Sequence, residues 1–144
     1  MKIIVQAPEA GQEERVIIEC KTVTPQILKV IEILGQAQHL TVFRDNEAFL
    51  VPANEIFYIE TIDNKTYVYC DKEVYQSRMR LIEIEDVFDK GNFFRASKQL
   101  ILNLSMIKSV APANGGRFQA LLVNDERVLI SRQFVPKLKE VFGL

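Results

Sequence analysis

The chain is poor in the residues that most enzymes and metal proteins depend on. Among its 144 residues it has one histidine, His39, and two cysteines, Cys20 and Cys70, that lie far apart. That set makes neither a zinc site nor a redox pair, so both cysteines are expected as free thiols. No nucleophile elbow and no phosphate-cradling glycine-rich loop occurs. Enzymatic function is not expected, and no cofactor is implied. No apolar run approaches the roughly 20 residues of a membrane helix. The start, MKIIVQAPEAGQEER, turns polar too early for a signal peptide, so a cytoplasmic protein is the expectation. Repeats, low-complexity tracts and flexible linkers are likewise absent.

What remains is a globular composition, 48% hydrophobic and 26% charged, enough for one ordinary core. The net charge of −1 hides a polarity. Residues 91 to 144 hold eight Lys or Arg against three acids, a net of +5, whereas the first ninety carry −6. Such asymmetry suits a polyanion partner, although a chance distribution of surface charge would look the same. Two basic-half segments are the most telling. FFRASKQLILNLSMIKSV (93–110) and VLISRQFVPKLK (128–139) each interrupt an apolar strand pattern with a short cationic break. Arg95, Ser97 and Lys98 mark the first break, and Ser131 and Arg132 the second. Cations held at strand ends suit phosphate and base edges, which makes nucleic acid the first partner to consider.

Along the chain, KIIVQ (2–6) and RVIIEC (15–20) read as short strands. TPQILKVIEILG reads as a helix with Thr24 as N-cap, Pro25 at its first position and Gly35 just past its end. Ile27, Val30, Ile31 and Leu34 share one face of it. This β-β-α segment, residues 1–38, is too small to be stable alone. A second region, 39–144, carries close-spaced strands: HLTVF, EAFLVP, EIFYIETI, KTYVYC, EVYQSR, FFRAS, MIKSVAP, RFQALLV and RVLIS. DNK (63–65), NGG (114–116) and NDE (124–126) serve as turns. MRLIEIEDVF is expected as a short helix, although its apolar residues Met79, Ile82 and Val87 keep helical spacing only roughly. QFVPKLKEVF should close the chain as a helix packing Phe134, Leu138, Val141 and Phe142. The fold class is therefore mainly β with short helices, as small sheets packed together.

In this order, residues 42–143 resemble a LytTR DNA-binding domain. EIFYIETIDNKTYVY is similar to the family's strand pair. RLIEIEDVFDKGNFFRASKQLILNLSMIKSV is similar to its most characteristic block, with the Phe-Phe-Arg entry and Leu102-Asn103. VLISRQFVPKLKEVF resembles its terminal strand, Ser-Arg and helix, and AFLVP adds a weaker match. The resemblance covers roughly seventy percent of the chain and implies an all-β scaffold whose loops, not a recognition helix, enter DNA grooves. Three loops would face double-stranded promoter DNA: the hairpin at Asn64, Lys65 and Thr66; the turn at Ser97, Lys98 and Gln99; and the junction at Ser131, Arg132 and Gln133. Arg132 can contact guanine with two prongs, while Lys65 and Lys98 are flexible donors. Many members carry His followed by Arg, Lys or Asn in the second loop. This chain has Ser97-Lys98, so its base preference is expected to differ.

Each assignment has a plainer rival. Arg95 either faces phosphate or pairs with a neighbouring carboxylate. Asn103 is expected to satisfy backbone groups at a turn. Phe93, Phe94, Phe134 and Phe142 are expected in the core. Lys98 and Arg132 could be solvated surface cations. The first 38 residues are too few for the receiver domain many LytTR proteins carry, so the chain resembles the stand-alone members. Its apolar helical face suggests self-association of residues 1–38 into a homodimer that reads two half-sites. The functional expectation is a transcription regulator. The alternative is a protein-interaction module that keeps the fold without binding DNA.

Overall fold

Most strands of the larger sheet alternate buried with more open residues, and one end of that sheet is buried on both faces. A computed structural model describes residues 2–35, 38–88 and 92–144, the side chains of Glu32 and Gly35 excepted. The chain divides into two compact units, Met1–Ile33 and Leu34–Leu144.

In the first unit, residues 2–22 form no strand. The expected strands at KIIVQ and RVIIEC are therefore not present, and the β-β part of the β-β-α segment is corrected to irregular chain. The physical reason is that an isolated pair of short strands is marginal in water without a third strand or a covering layer. Ile3, Val5, Val16 and Ile17 are correspondingly exposed. The helix is as expected. It runs Pro25–Gly35 (α1), and the Thr24 hydroxyl accepts from the Ile27 amide at 3.3 Å, as an N-cap should. Gly35 is its last residue rather than the one beyond it.

The second unit is a mainly β fold with short helices. Strands β1 (His39–Arg44), β2 (Glu47–Pro52), β3 (Tyr58–Ile62), β4 (Lys65–Tyr69) and β5 (Val74–Ser77) precede helix α2 (Leu81–Val87). After it come β6 (Phe93–Ser97), β7 (Leu100–Asn103), β8 (Ile107–Pro112), β9 (Phe118–Leu122), β10 (Arg127–Ile130) and helix α3 (Val135–Phe142). Seven strands form one antiparallel sheet in the order β2-β1-β5-β4-β3-β7-β6, and three form a second, β10-β9-β8. The hairpins β1–β2 and β3–β4 turn on Asp45-Asn46 and Asp63-Asn64, all four at positive φ between 50° and 64°. Asp and Asn tolerate that region, and the turn type matches the twist of the strands it joins.

Strand β7 is absent from the sequence expectations, for a physical reason. Successive strand residues point to opposite faces. Ile101 enters one core, with Leu40, Val42, Ile59, Val68, Phe93, the α2 residues Leu81 and Ile84, and Phe88 just beyond that helix. Leu102 enters the other, with Phe94, Ala120, Leu122, Ile130, Val135 and Leu138. A strand buried on both faces shows no alternation, so LILN lacks the period-two signal. The pair Phe93-Phe94 opens β6 in the same way.

The structure sets the inward face of each helix, and for α3 it corrects the expectation. In α2 the buried residues are Leu81 and Ile84, followed by Phe88, while Ile82 and Val87 are exposed and Met79 is only partly buried. In α3 Val135 and Leu138 are buried, whereas Val141 and Phe142 are exposed. Each helix is so short that one turn contacts its sheet, which leaves the last turn uncovered. Phe93 and Phe94 are core residues, and Phe134 packs partly against the second core. Asn103 is 1% exposed and ties three segments together. Its Nδ2 donates to the Ile56 carbonyl at 2.8 Å, and its Oδ1 accepts from the Ser105 amide (3.0 Å) and hydroxyl (2.7 Å). This is the backbone-satisfying role expected for it.

Candidate nucleic-acid interface

The turn after β6 is built around a bulge. The β6–β7 register runs Phe94↔Leu102 and Arg95↔Ile101, then slips to Ser97↔Leu100, leaving Ala96 outside the ladder. A bulged residue keeps backbone groups available for other partners. The Ala96 carbonyl uses this to accept from the Ser131 amide at 2.8 Å. That bond fixes the end of β10, in the second sheet, beside the β6–β7 turn of the first.

The turn itself is braced. Ser97 Oγ accepts from the Gln99 amide at 3.2 Å. Arg95 donates to the Lys98 carbonyl at 2.7 Å and pairs with Glu85 of α2. Of its two readings, Arg95 therefore takes the structural one. Its guanidinium holds the turn that presents Lys98, with one terminal nitrogen on the Lys98 carbonyl and the other on Glu85.

On the other side, β7 neighbours β3 with Glu60 opposite Leu100. The Thr61 amide donates to the Gln99 carbonyl at 2.8 Å. Because β3 ends where β7 begins, the Asp63-Asn64 hairpin tip leaves the sheet at the same end as Lys98. Lys65 closes that hairpin opposite Ile62 and is exposed. Asp63 adds a negative charge there, so this tip is the least cationic of the three. Thr66 is corrected. It is 5% exposed, flanked by Thr61 on β3 and Ser77 on β5, and does not present its hydroxyl to a ligand.

After β10 the chain turns sharply. The Phe134 amide donates to the Ser131 carbonyl at 2.9 Å, which closes a short 3-10 turn at Arg132–Phe134 before α3. Ser97, Lys98, Gln99, Ser131, Arg132 and Gln133 line one open groove of about 390 Å³. Two of the three expected loops thus share one concavity, and the third emerges from the same sheet end. Lys98, Gln99, Arg132 and Gln133 are exposed, and Ser97 and Ser131 half-buried.

Sequence reasoning read NGG (114–116) between β8 and β9 as a turn and no more, and missed its place beside the groove. Phe118 pairs with Ile130 across β9 and β10, so this turn leaves the sheet next to Ser131. A methyl group added at Gly116 would lie 3.0 Å from Cδ of Arg132. The available signal was a cation, Arg117, directly after a Gly-Gly turn in the basic half of the chain.

A larger hollow of about 530 Å³ lies near the β4–β5 turn, lined by residues that include Glu55, Phe57, Cys70, Asp71, Lys72 and Glu73. Its acids repel phosphate. Burial, helped by Glu55 and Glu73, pushes the Cys70 thiol up to about 11. Burial likewise raises the Glu60 carboxyl and, with Glu126 beside it, the Tyr58 phenol. None of these groups lines the groove of Lys98 and Arg132. Among the described residues there is no cluster of His, Cys, Asp and Glu that could hold a metal ion, and no helix long and apolar enough to cross a membrane.

The model of the LytTr DNA-binding domain family matches residues 46–143. The chain belongs to this family. A solved LytTr DNA-binding domain from Bacillus cereus superposes with a TM-score of 0.71 at 26% identity, covering 74% of this chain and 98% of that one. The sensory transduction protein LytT of Enterococcus faecalis is 26% identical over 100 residues, which is 69% of this chain and 41% of that protein. The transcriptional regulatory protein YpdB of Escherichia coli K12 is 26% identical over 106 residues, 73% of this chain and 43% of that protein. The chain thus spans less than half the length of these curated relatives. The family is one of DNA-binding domains and not an enzyme class.

Proposed function

We propose that this chain is a transcription regulator that binds double-stranded promoter DNA in the cytoplasm through loops of its β scaffold. The observation that carries the reading is the single groove shared by Ser97, Lys98, Gln99, Ser131, Arg132 and Gln133. Lys98 and Arg132 read base edges, Gln99 and the two serines contact backbone or base, and Lys65 on the neighbouring tip adds a phosphate contact. The groove is held by backbone bonds to two sheets, so little ordering entropy is lost when DNA binds. Phosphate neutralisation supplies most of the affinity, so binding weakens steeply as salt is added. A promoter-region pull-down with the purified chain tests this; recovery of proteins but no DNA would favour the interaction-module alternative, which the net charge of −1 supports.

Two copies pair through residues 1–38, which lets one assembly engage two half-sites. Support comes from apolar residues of α1 left open to solvent, Leu28, Ile31 and Leu34 among them. Sedimentation of a fragment beginning at residue 39 tests the pairing. Association as strong as that of the full chain removes it.

A further inference from the structure

The turn between β8 and β9 borders the groove, yet none of the three loops above includes it. Pro112 pairs with Phe118, and the Ala113 amide donates to the Arg117 carbonyl at 2.8 Å, so the intervening residues form a tight tip. Gly115 and Gly116 both adopt φ of +75°, where a side chain is strained. A methyl group at position 116 would stand 3.0 Å from Cδ and 3.3 Å from Cγ of Arg132. The aliphatic stem of Arg132 therefore rests directly on the Gly116 backbone. The next residue, Arg117, is an exposed cation whose Nε donates to the Asn114 carbonyl at 2.9 Å. Beside it, the Lys139 ammonium sits 5.6 Å from the centre of the Phe118 ring. The basic edge thus continues past Arg132 along this turn.

We propose that residues 114–117 form a fourth DNA-contacting loop, in which Arg117 binds a backbone phosphate of the duplex whose bases Arg132 reads. Gly116 keeps Arg132 within reach of that duplex. This rests on the DNA-binding reading above. Nε is committed to the loop's own carbonyl, which fixes the plane of the guanidinium. Among the described residues no hydrogen bond or ion pair uses its two terminal nitrogens, and that pair matches phosphate oxygens. A phosphate contact carries no sequence information, so Arg117 adds affinity uniformly and fixes the register in which Arg132 meets the bases.

The experiment uses the full chain and a short duplex of random sequence, which removes the need to know the operator. Binding is followed by fluorescence anisotropy across a salt series for the wild type, Arg117→Ala and Arg117→Lys, with thermal melting of each. Arg117→Ala is expected to lower the slope of log affinity against log salt by about 0.9, the loss of one phosphate contact. Its affinity should fall roughly three- to tenfold at low salt, and Arg117→Lys should keep most of both. Wild-type slope and affinity in Arg117→Ala would overturn the fourth loop while leaving the three-loop reading intact. Equal losses in both variants, with lowered melting temperatures, would also overturn it, because Arg117 would then only close its own turn. A wild type that binds no duplex at any salt defeats the DNA-binding reading itself, and this inference with it.

Discussion

The amide of Ser131 donates to the carbonyl of Ala96 at 2.8 Å, which joins the last strand of the small sheet to the bulge of the large one. Ser131 immediately precedes Arg132, and Ala96 lies two residues before Lys98. One backbone bond therefore sets the spacing between the two cations that share the groove. Ala96 is fully buried in the second core. Ala96→Leu should overpack that core and destabilise the fold by about 1–3 kcal/mol. Denaturant titration reads the change, and an unaltered midpoint would show that the junction is looser than described.

Arg95 supports the same turn from beneath. Arg95→Ala leaves the Lys98 carbonyl and the half-buried Glu85 without their partner, a loss of about 1–3 kcal/mol of stability. Affinity for random-sequence duplex should fall as the 97–99 turn loosens, with base preference unchanged. A variant as stable as the wild type that shifts base preference would instead make Arg95 a reader of DNA.

Asn103 answers the packing needs of one segment with both ends of its amide. Asn103→Ala strips the Ile56 carbonyl and Ser105 of their partners and should cost about 2–4 kcal/mol in thermal or chemical unfolding. Asn103→Asp should be no better at neutral pH, because it cannot donate to Ile56 and buries a charge. Wild-type stability in both would contradict the role assigned to this residue.

The two thiols should separate cleanly under alkylation. Cys20 is exposed, whereas the Cys70 thiol is pushed up to about 11 by burial and by Glu55 and Glu73. At neutral pH Cys70 should react slower than a free thiol by about two orders of magnitude. Because its folded value exceeds the unfolded one of about 8.5, its contribution to stability is intact below that pH and is lost between about 8.5 and 11. Mass spectrometry after brief iodoacetamide treatment of the native chain decides the point. Equal labelling of both thiols would contradict it.

The hairpins were readable because Asp-Asn and other turn residues punctuate alternating strands, and α1 because Thr24 and Pro25 mark its start. β7 was not readable, since a strand covered on both faces carries no alternation. The segments at 2–6 and 15–20 have the composition of strands, but composition does not supply a neighbour to pair with. The inward faces of α2 and α3 depended on which turn touches the sheet, a tertiary fact that spacing in a seven- or eight-residue helix cannot fix. At the groove, residue types suggested Lys98 and Arg132, and the family resemblance supplied the pairing of their loops. Thr66 was misjudged because its hairpin neighbours are exposed while strand alternation turns its own side chain inward. Gly116 was read only as a turn, because the contact with Arg132 joins residues distant in sequence.

The central claim is that Lys98 and Arg132 read DNA together from one groove. Duplexes selected by the wild-type chain from random DNA provide the target for gel-shift titrations of Lys98→Ala and Arg132→Ala. Each variant should lose about 1–3 kcal/mol of binding to the selected sequence and discriminate less at the position it contacts. Unchanged affinity and unchanged sequence preference in both would contradict the account.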